Sequence, residues 1–316
     1  MSRGGSILLI AICLAAPSAL ANGVISERAA GGLVFKKTDT IAIASEDLFL
    51  STDEVRVAYV YTSTAPAAQT VTISFPMPGI PVDNGPEAEV FRQDGVKDPR
   101  NYMNFSVQVD GRPVQARRAE RALFKDKDVS ARLKADGVPA LFVIGGEDAL
   151  KRLSEATRAE LVKEGLFVKS DSDEYTPQWS YQTIFEWEQT FQPGPTKVDI
   201  RYKPIVGDSA DYGDYYEKGE GVKRYCADEA FRNAMKRRRQ AGTLGEPLTI
   251  GYVLKTARFW NGPIGRFRLV VDKGQANNIV AFCPLAAKKI SETRFEWTAT
   301  NFVPDRDIDV VVFVAP

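Results

Sequence analysis

The catalytic chemistry open to this chain is limited, because none of its 316 residues is a histidine. Ser-His-Asp and Cys-His catalysis are therefore excluded, as are zinc sites with histidine ligands. An enzyme built from this sequence would depend on carboxylates, Lys, Tyr, Ser or a cofactor. The sequence leaves enzymatic activity open but favours a non-catalytic protein, and it predicts neither a cofactor nor a metal centre.

Two glutamates, Glu186 and Glu188, hold the positions best suited to acid–base chemistry, because they share one face of a predicted strand. Glycoside hydrolysis needs two carboxyl groups roughly 5 to 10 Å apart in a cleft. The pair therefore supports an alternative function, a carboxylate-based hydrolase of envelope polysaccharide, although the same spacing is typical of the solvated face of a sheet. Glu46 and Asp47 are also adjacent carboxylates, and for them we favour a solvated turn or contacts with backbone donors over catalysis.

An acidic and aromatic segment at 208–220 is the best candidate for a ligand site, together with a tryptophan further along the chain. The candidate ligand-binding residues are Tyr212, Tyr215, Tyr216 and Trp260. The segment also suggests calcium, but Ala210 and Tyr212 occupy positions that need oxygen ligands in an EF-hand loop. We therefore predict a solvated loop, and a calcium-stabilised structural module is a third possibility.

The N-terminus has the three parts of a Sec-type export signal. Arg3 supplies the positive charge, residues 7–16 form a short apolar run, and Ala19-Leu20-Ala21 is a small-x-small cleavage site. We expect cleavage after residue 21 and a periplasmic or secreted mature protein. An uncleaved anchor is disfavoured, because the apolar run is too short to span a bilayer comfortably.

Removal of this signal takes Cys13 with it and leaves Cys226 and Cys283. An even pair of cysteines in an exported protein predicts a disulfide, and two buried free thiols are the alternative. The bond would close a loop of 57 residues, a length for which the chain-entropy model gives roughly 4 kcal/mol of stabilisation.

The charge balance bears on partners, because Lys plus Arg and Asp plus Glu number 41 each. A nucleic-acid partner would normally require a basic excess, so we predict none. No segment after the export signal reaches 18 consecutive apolar residues, which predicts no stable membrane span in the mature protein. The expected partner is an envelope protein or a glycan whose identity is unknown.

Period-two alternation of apolar residues predicts a mainly β protein. The strands at 55–61 and 71–75 form a predicted hairpin around which the rest of the chain is organised. The clearest strand pattern covers 179–191. The nearly continuous apolar run at 308–313 predicts a central strand.

A period near 3.6 predicts helices in two regions between these strands. The first region is the insert at 116–170, and the second is the single helix 227–241. The predicted fold is mainly β with helical insertions, arranged as two antiparallel β-sandwich-like lobes. The predicted domains are a signal peptide (1–21), an N-terminal β-sandwich lobe (22–115), the helical insert (116–170) and a C-terminal β-rich lobe (171–316).

Several short segments follow one another in an order that resembles a known family. They are GGLVF, SEDLFLSTDEVRVAYVY, TVTISFPMP, DVSARLKADGVP, YKPIVG, WNGPIG with FRLVVDKG, and NFVPDRDIDVVVF. Together they resemble the bacterial exported family called domain of unknown function 4424 (DUF 4424). The resemblance implies a periplasmic or secreted protein of β-rich type, and it brings no established activity or catalytic residue.

A partial resemblance covers Glu54 to Val114. This segment contains a strand, a loop, a strand that ends in Phe-Pro-x-Pro and a strand that ends in Val-Asp-Gly-Arg-Pro-Val. This order is similar to the vault and inter-alpha-trypsin β-sandwich module. It implies a sandwich fold for the N-terminal part. The function favoured by the sequence is thus that of an exported, non-catalytic module for binding or envelope assembly.

Overall fold

The computed structural model of the protein describes residues 23–29, 32–83, 97–125, 127–208, 214–284 and 286–316. The predicted export signal at 1–21 lies outside the described residues. The strands are β1 (Val24–Ala29), β2 (Gly32–Phe35), β3 (Ile41–Leu50), β4 (Val55–Ser63), β5 (Gln69–Pro76), β6 (Ile80–Pro81), β7 (Ser106–Val109), β8 (Arg112–Pro113), β9 (Arg117–Phe124), β10 (Lys127–Asp128), β11 (Phe167–Lys169), β12 (Tyr175–Pro177), β13 (Ser180–Phe191), β14 (Gly194–Tyr202), β15 (Gly207–Asp208), β16 (Pro247–Tyr252), β17 (Ile264–Asp272), β18 (Ile279–Phe282), β19 (Lys288–Lys289), β20 (Arg294–Phe302) and β21 (Ile308–Phe313).

Fewer of the described residues lie in helices than in strands, which confirms the prediction of a mainly β fold with helical insertions. The helices are α1 (Ser130–Ala135), α2 (Gly146–Arg152), α3 (Glu155–Lys163), α4 (Asp214–Glu217), α5 (Glu220–Arg224) and α6 (Glu229–Gln240). Two short 3₁₀ turns complete them, at Pro99–Asn101 and Lys255–Phe259. Within the described part of the chain, none of these helices has the length and apolarity needed to cross a membrane.

The longest sheet has eight strands in the order β19-β20-β17-β3-β4-β14-β7-β8. Its pairs are antiparallel except for β3 and β17, which run parallel. This pair joins a strand from the first half of the chain to one from the second half. A second sheet has seven strands in the order β10-β9-β13-β5-β1-β2, with β6 also paired to β13. Both large sheets therefore contain strands from the first and the second half of the sequence.

These two sheets pack face to face through aromatic side chains, as alternating strands with one apolar face require. The Tyr61 ring lies 5.5 Å from that of Phe191, and the Phe75 ring lies 5.6 Å from that of Tyr202. Phe105 stacks on Phe185 at 4.4 Å. The core of the first sandwich-like lobe is this aromatic layer.

The strands of the predicted hairpin both form, but β4 and β5 lie in different sheets. β4 pairs with β3 and β14 in the eight-stranded sheet, and β5 pairs with β13 and β1 in the seven-stranded sheet. The hairpin prediction is therefore wrong. Because both strands have one apolar face, they bury it equally well by facing each other across the core.

A four-stranded sheet, in the order β15-β16-β21-β18, forms the second sandwich-like lobe with the other end of the eight-stranded sheet. The hydroxyl of Tyr252 lies 2.8 Å from that of Tyr59, and the Phe282 ring lies 6.3 Å from that of Phe295. β21 pairs with neighbours on both sides, which confirms the central strand predicted from its apolar run.

Helices α4 to α6 cover the opposite face of the four-stranded sheet. Tyr216 and Phe231 contact the ring of Phe313 on β21, at centroid distances of 5.2 and 6.0 Å. α6 matches the predicted helix 227–241 closely. The carboxylate of its N-cap, Asp228, accepts a hydrogen bond from the Phe231 amide at 2.7 Å, and its basic last turn complements the helix dipole.

The segment at 116–170 is only partly helical. Helices α1 to α3 occupy most of it, but its first residues form β9, which pairs with β13 over seven positions. Mixed charges hide any alternation in Arg117–Phe124, and the backbone of β13 supplies the partner that makes it a strand. The boundaries predicted at 115 and 171 consequently do not separate one sheet from another.

Phe105 provides a test of the aromatic layer, since it is 7% exposed and contacts the rings of Phe75 and Phe185 in the seven-stranded sheet. We expect Phe105→Ala to lower the free energy of unfolding by about 3–5 kcal/mol, because a buried aromatic ring leaves a cavity when removed. Urea unfolding of the purified protein measures this change. Val303→Ala is the control, since Val303 is 66% exposed, and it should shift stability by no more than about 0.5 kcal/mol. Equal stability of the two variants would contradict the packing described.

Candidate functional site

The outer face of the eight-stranded sheet carries a cleft of about 270 Å³. Half of its lining residues are charged, and the other half are apolar. The charged residues are Arg56, Arg201, Arg268, Arg294, Asp47 and Asp199. We call this feature the arginine cleft.

Strand alternation places these side chains in the cleft. On β3, Leu48 and Leu50 are fully buried in the core, and Asp47 and Phe49 point to the opposite side. A register shift between Ile43 and Ser45 marks a bulge that sets this alternation for the rest of the strand. The same period brings charged residues of β4, β14 and β17 to the outer face.

Two of the arginines that line the cleft lie directly opposite each other in the sheet. Arg56 on β4 is the register partner of Arg201 on β14. Like charges in this position destabilise a sheet. Glu54 offsets part of the repulsion, since its carboxylate lies 2.9 Å from Arg56 Nε and 3.7 Å from an Arg201 nitrogen. One carboxylate thus serves two guanidinium groups.

The neighbouring row of side chains across the sheet consists of Arg268, Asp47, Ala58 and Asp199. It contains an ion pair, a small residue and a second carboxylate. Arg268 donates to both oxygens of Asp47, at 3.0 and 3.1 Å, and to Glu296 at 2.7 Å. These partners raise the pKa of Arg268 above its usual value despite partial burial. Ala58 follows Asp47 across the sheet and faces Asp199. The single methyl group of Ala58 leaves the floor of the cleft open between the two aspartates.

Phe49 supplies an aromatic surface within the same cleft. The guanidinium carbon of Arg56 lies 4.3 Å from its ring centroid, and that of Arg294 lies 5.7 Å away. Such cation–π contacts hold a guanidinium plane in place while leaving its N–H groups available. The arrangement is suited to a ligand with a carboxylate or phosphate group, which a guanidinium fork can bind in a bidentate manner.

On the inner face of β3, directly beside Asp47, lies the buried carboxyl group of Glu46. It is 1% exposed, and its Oε1 accepts a hydrogen bond from the Tyr252 hydroxyl at 3.0 Å. The hydroxyls of Tyr252 and Tyr59 are 2.8 Å apart. Burial raises the pKa of Glu46 to about 8, although hydrogen bonds from the two tyrosines act in the opposite direction. Glu46 is therefore neutral at pH 7, and the polar group lies where the two lobes meet.

The aromatic residues predicted to bind a ligand do not form one exposed site. Trp260 is 2% exposed and packs 4.5 Å from the Tyr61 ring in the first lobe. Tyr216 is 1% exposed beneath the helices of the second lobe, next to the half-buried Tyr215. Tyr212 lies outside the described residues. Trp260 and Tyr216 are in the core because their large apolar rings stabilise the fold more when buried than when left in water.

Two carboxylates of the acidic segment are engaged in ion pairs. Glu217 lies 2.7 Å from an Arg239 nitrogen, and Asp214 lies 3.3 Å from Lys218 Nζ. No group of three or more Cys, Asp or Glu side chains close enough to hold a metal occurs among the described residues. Residues 209–213 of the segment lie outside them.

Glu186 and Glu188 share one face of β13, as predicted from the alternation. Glu186 is nonetheless buried at 2% exposure, with Arg117 Nη2 3.5 Å from its carboxylate, whereas Glu188 is exposed. Neither residue lines the arginine cleft. The two carboxyl groups thus differ in environment and lie in a different sheet from the cleft.

The sequence analysis missed the residues of the arginine cleft. Arg56, Arg201 and Arg268 each occupy an outward position in a segment with strand alternation, and this outward basic pattern was the available signal. Their meeting depends on the parallel pairing of β3 and β17, which local periodicity does not indicate.

Glu46 predicts a pH dependence of stability. Its pKa is raised from 4.5 to about 8 in the folded protein, so the folded state binds more protons than the unfolded state between these values. The free energy of unfolding should therefore fall as the pH rises from 4.5 to 8, by at most about 1.4 kcal/mol per pH unit from this group. Glu46→Gln should lose this component and be more stable than the wild type at pH 8.

Urea unfolding at a series of pH values measures the effect, and Asp47→Asn on the outer face of the same strand is the matched control. We expect the control to keep the wild-type slope. Parallel curves for the wild type and Glu46→Gln would show that Glu46 does not titrate in this range.

Comparison with known proteins gives a family and a distant structural likeness. The chain is similar to a crystal structure from Legionella pneumophila described as a proposed nutrient-binding protein, with 15% identity and a TM-score of 0.47. The alignment covers 95% of this chain and 72% of that one. No curated protein matches significantly. A family model, described as a domain of unknown function, matches residues 21–311. This match spans nearly the whole chain, so the protein belongs to the DUF4424 family.

Proposed function

We propose that this protein is an exported, non-catalytic binding protein that holds a small anionic ligand in the arginine cleft. The observation that carries the proposal is the pair Arg56 and Arg201, which line the cleft and lie directly opposite each other in the sheet. A like-charged pair lowers the stability of a sheet, and Glu54 offsets this one with a single carboxylate. An anionic ligand would offset the remaining repulsion on binding.

The dimensions and charge of the cleft define the class of ligand. A volume of about 270 Å³ suits a small molecule near the lower end of the range seen for ligand sites. Arg268 is already bound to Asp47 and Glu296, whereas Arg56 and Arg201 share one carboxylate. The ligand anion is therefore expected beside Arg56 and Arg201, with a less polar part against Phe49.

The groups in the cleft support binding more than catalysis. Asp47 is held in an ion pair with Arg268, and Asp199 is separated from it by Ala58 in the sheet register. The chain has no histidine to transfer protons near neutral pH. Binding of an anion by fixed guanidinium groups requires neither a catalytic pair of carboxylates nor a histidine.

Isothermal titration calorimetry with inorganic phosphate and with succinate tests this proposal. The wild type should bind at least one of them, and Arg56→Gln and Arg201→Gln should each weaken binding about tenfold or more, since a charged hydrogen bond is lost. Arg112→Gln is the matched control, because this exposed arginine lies on edge strand β8 of the same sheet and outside the cleft. Failure of the wild type to bind either anion, or equal losses in the control, would overturn the proposal.

A second variant tests the site without changing its charge. Ala58→Trp places a large ring on the open floor and should abolish binding by exclusion while leaving the four arginines in place. Circular dichroism and urea unfolding will establish that this variant is folded. Undiminished affinity in folded Ala58→Trp would place the ligand elsewhere.

The export signal is the basis for the proposed location. Expression of the full chain in a Gram-negative bacterium should yield a periplasmic product whose mass corresponds to a start at Asn22. Substitution of Ala19 and Ala21 by Asp should block this processing, because the peptidase requires small residues there. A product that keeps residues 1–21 in the wild type would contradict export by this signal.

A further inference from the structure

The disulfide that links the residues before α6 to the end of β18 has an unusual neighbour. Cys226 and Cys283 are bonded, as the sequence predicted, with their Cα atoms 5.3 Å apart. Arg306 Nη1 lies 2.9 Å from Cys283 Sγ and 3.5 Å from Cys226 Sγ. Arg306 is exposed, and within the described part of the chain it forms no ion pair with a carboxylate. Among the described residues, the polar contacts of its guanidinium are therefore those with the two sulfurs.

A guanidinium group in this position stabilises the reduced state, with its two separate cysteines, more than the oxidised disulfide. The sulfur of a disulfide is neutral and a weak acceptor, so the oxidised form gains little from the cation. A thiolate at the same place gains a full charge interaction with the guanidinium. Because Arg306 lies closer to Cys283, the thiolate of Cys283 benefits most.

The other sulfur belongs to a residue that lines an open cleft. Cys226 borders a space of about 110 Å³ whose mixed polar and apolar lining includes Phe231, Ala281 and Phe282. Cys226 also has a positive φ of 49°, a conformation that costs energy for a residue with a side chain. Asp228, the N-cap of α6, lies on the same cleft, and its charge disfavours a thiolate on Cys226. The two sulfurs are therefore unequal, one accessible and the other paired with a cation.

We propose that Cys226–Cys283 is an exchange-active disulfide that takes a thiol reductant through the cleft beside Cys226. The thiolate of the reductant attacks Cys226 Sγ, and Cys283 leaves as a thiolate held by Arg306. This reactivity is independent of the ligand proposed for the arginine cleft.

The electrons balance over two steps with a dithiol as the co-reactant. In the first step a sulfur–sulfur bond forms between the reductant and Cys226, and the electron pair of the broken bond stays on Cys283. In the second step the other thiol of the reductant attacks its own mixed-disulfide sulfur and releases Cys226. The reductant ends as a disulfide, the protein gains two electrons, and solvent returns the two protons to the cysteine thiols.

Glutathione, a monothiol, isolates the first step. The oxidised full-length mature protein is mixed with glutathione, quenched with acid, and alkylated, and mass spectrometry locates the adduct. We expect glutathione on Cys226 and a free, alkylated Cys283. Arg306→Met should slow adduct formation about tenfold, because the leaving thiolate loses its cation. Arg306→Lys should restore part of the rate, and Arg112→Met should equal the wild type.

A second measurement separates reactivity from folding. Thermal melting of the oxidised Arg306→Met variant should match the wild type, since the hydrogen bonds of this exposed guanidinium within the described residues are with the two sulfurs. The pH dependence of the exchange rate should also differ between them if Arg306 acts on the thiolate. An unchanged rate in Arg306→Met, an adduct on Cys283, or a disulfide that resists both glutathione and dithiothreitol would overturn the proposal.

Discussion

Strand β3 lies at the centre of the eight-stranded sheet, and the two-residue period of its side chains ties the core to the outer cleft. Its inward residues complete the layer between the lobes, and its outward residues Asp47 and Phe49 form part of the cleft. A slip of one residue would exchange these two sets, so the register is fixed by the burial of one face. The bulge after Ile43 is the local device that sets it.

The pairing of β3 with β17 gives this strand its second role. Residues that are more than 200 positions apart become neighbours, such as Asp47 and Arg268. The eight-stranded sheet is shared by two sandwich-like lobes, one with the seven-stranded sheet and one with the four-stranded sheet. The arginine cleft consequently lies on the one sheet that both lobes help to hold in place, and a cleft on a rigid sheet keeps its charged groups in fixed positions.

Three features of the structure reduce stability and are compensated by their surroundings. Glu46 is a buried carboxyl group that is retained in its neutral form by burial. Arg56 and Arg201 are like charges in direct register, with Glu54 between them. Cys226 has a left-handed backbone that the disulfide and the start of α6 hold in place. Such features are commonly associated with function rather than folding.

The strands, the main helix and the disulfide pair were within reach of the sequence, because each depends on local periodicity, capping residues or cysteine count. The burial of the residues predicted to bind a ligand was not within reach of the sequence. Period-two alternation distinguishes the two faces of a strand, but it does not show whether a residue outside a strand, such as Tyr216, lies in the core or in solvent. The resemblance of Glu54–Val114 to the vault module stays a prediction.

Sequence alone determined the β-rich class, the missing histidine chemistry and the family, since these are properties of composition, local pattern and segment order. Only the tertiary structure decided that β4 and β5 face each other from different sheets, that Glu46 is buried while Asp47 is not, and that four distant arginines share a cleft. The physical reason is that strand pairing is chosen by backbone hydrogen bonding and burial over the whole chain, and local alternation carries no record of the partner.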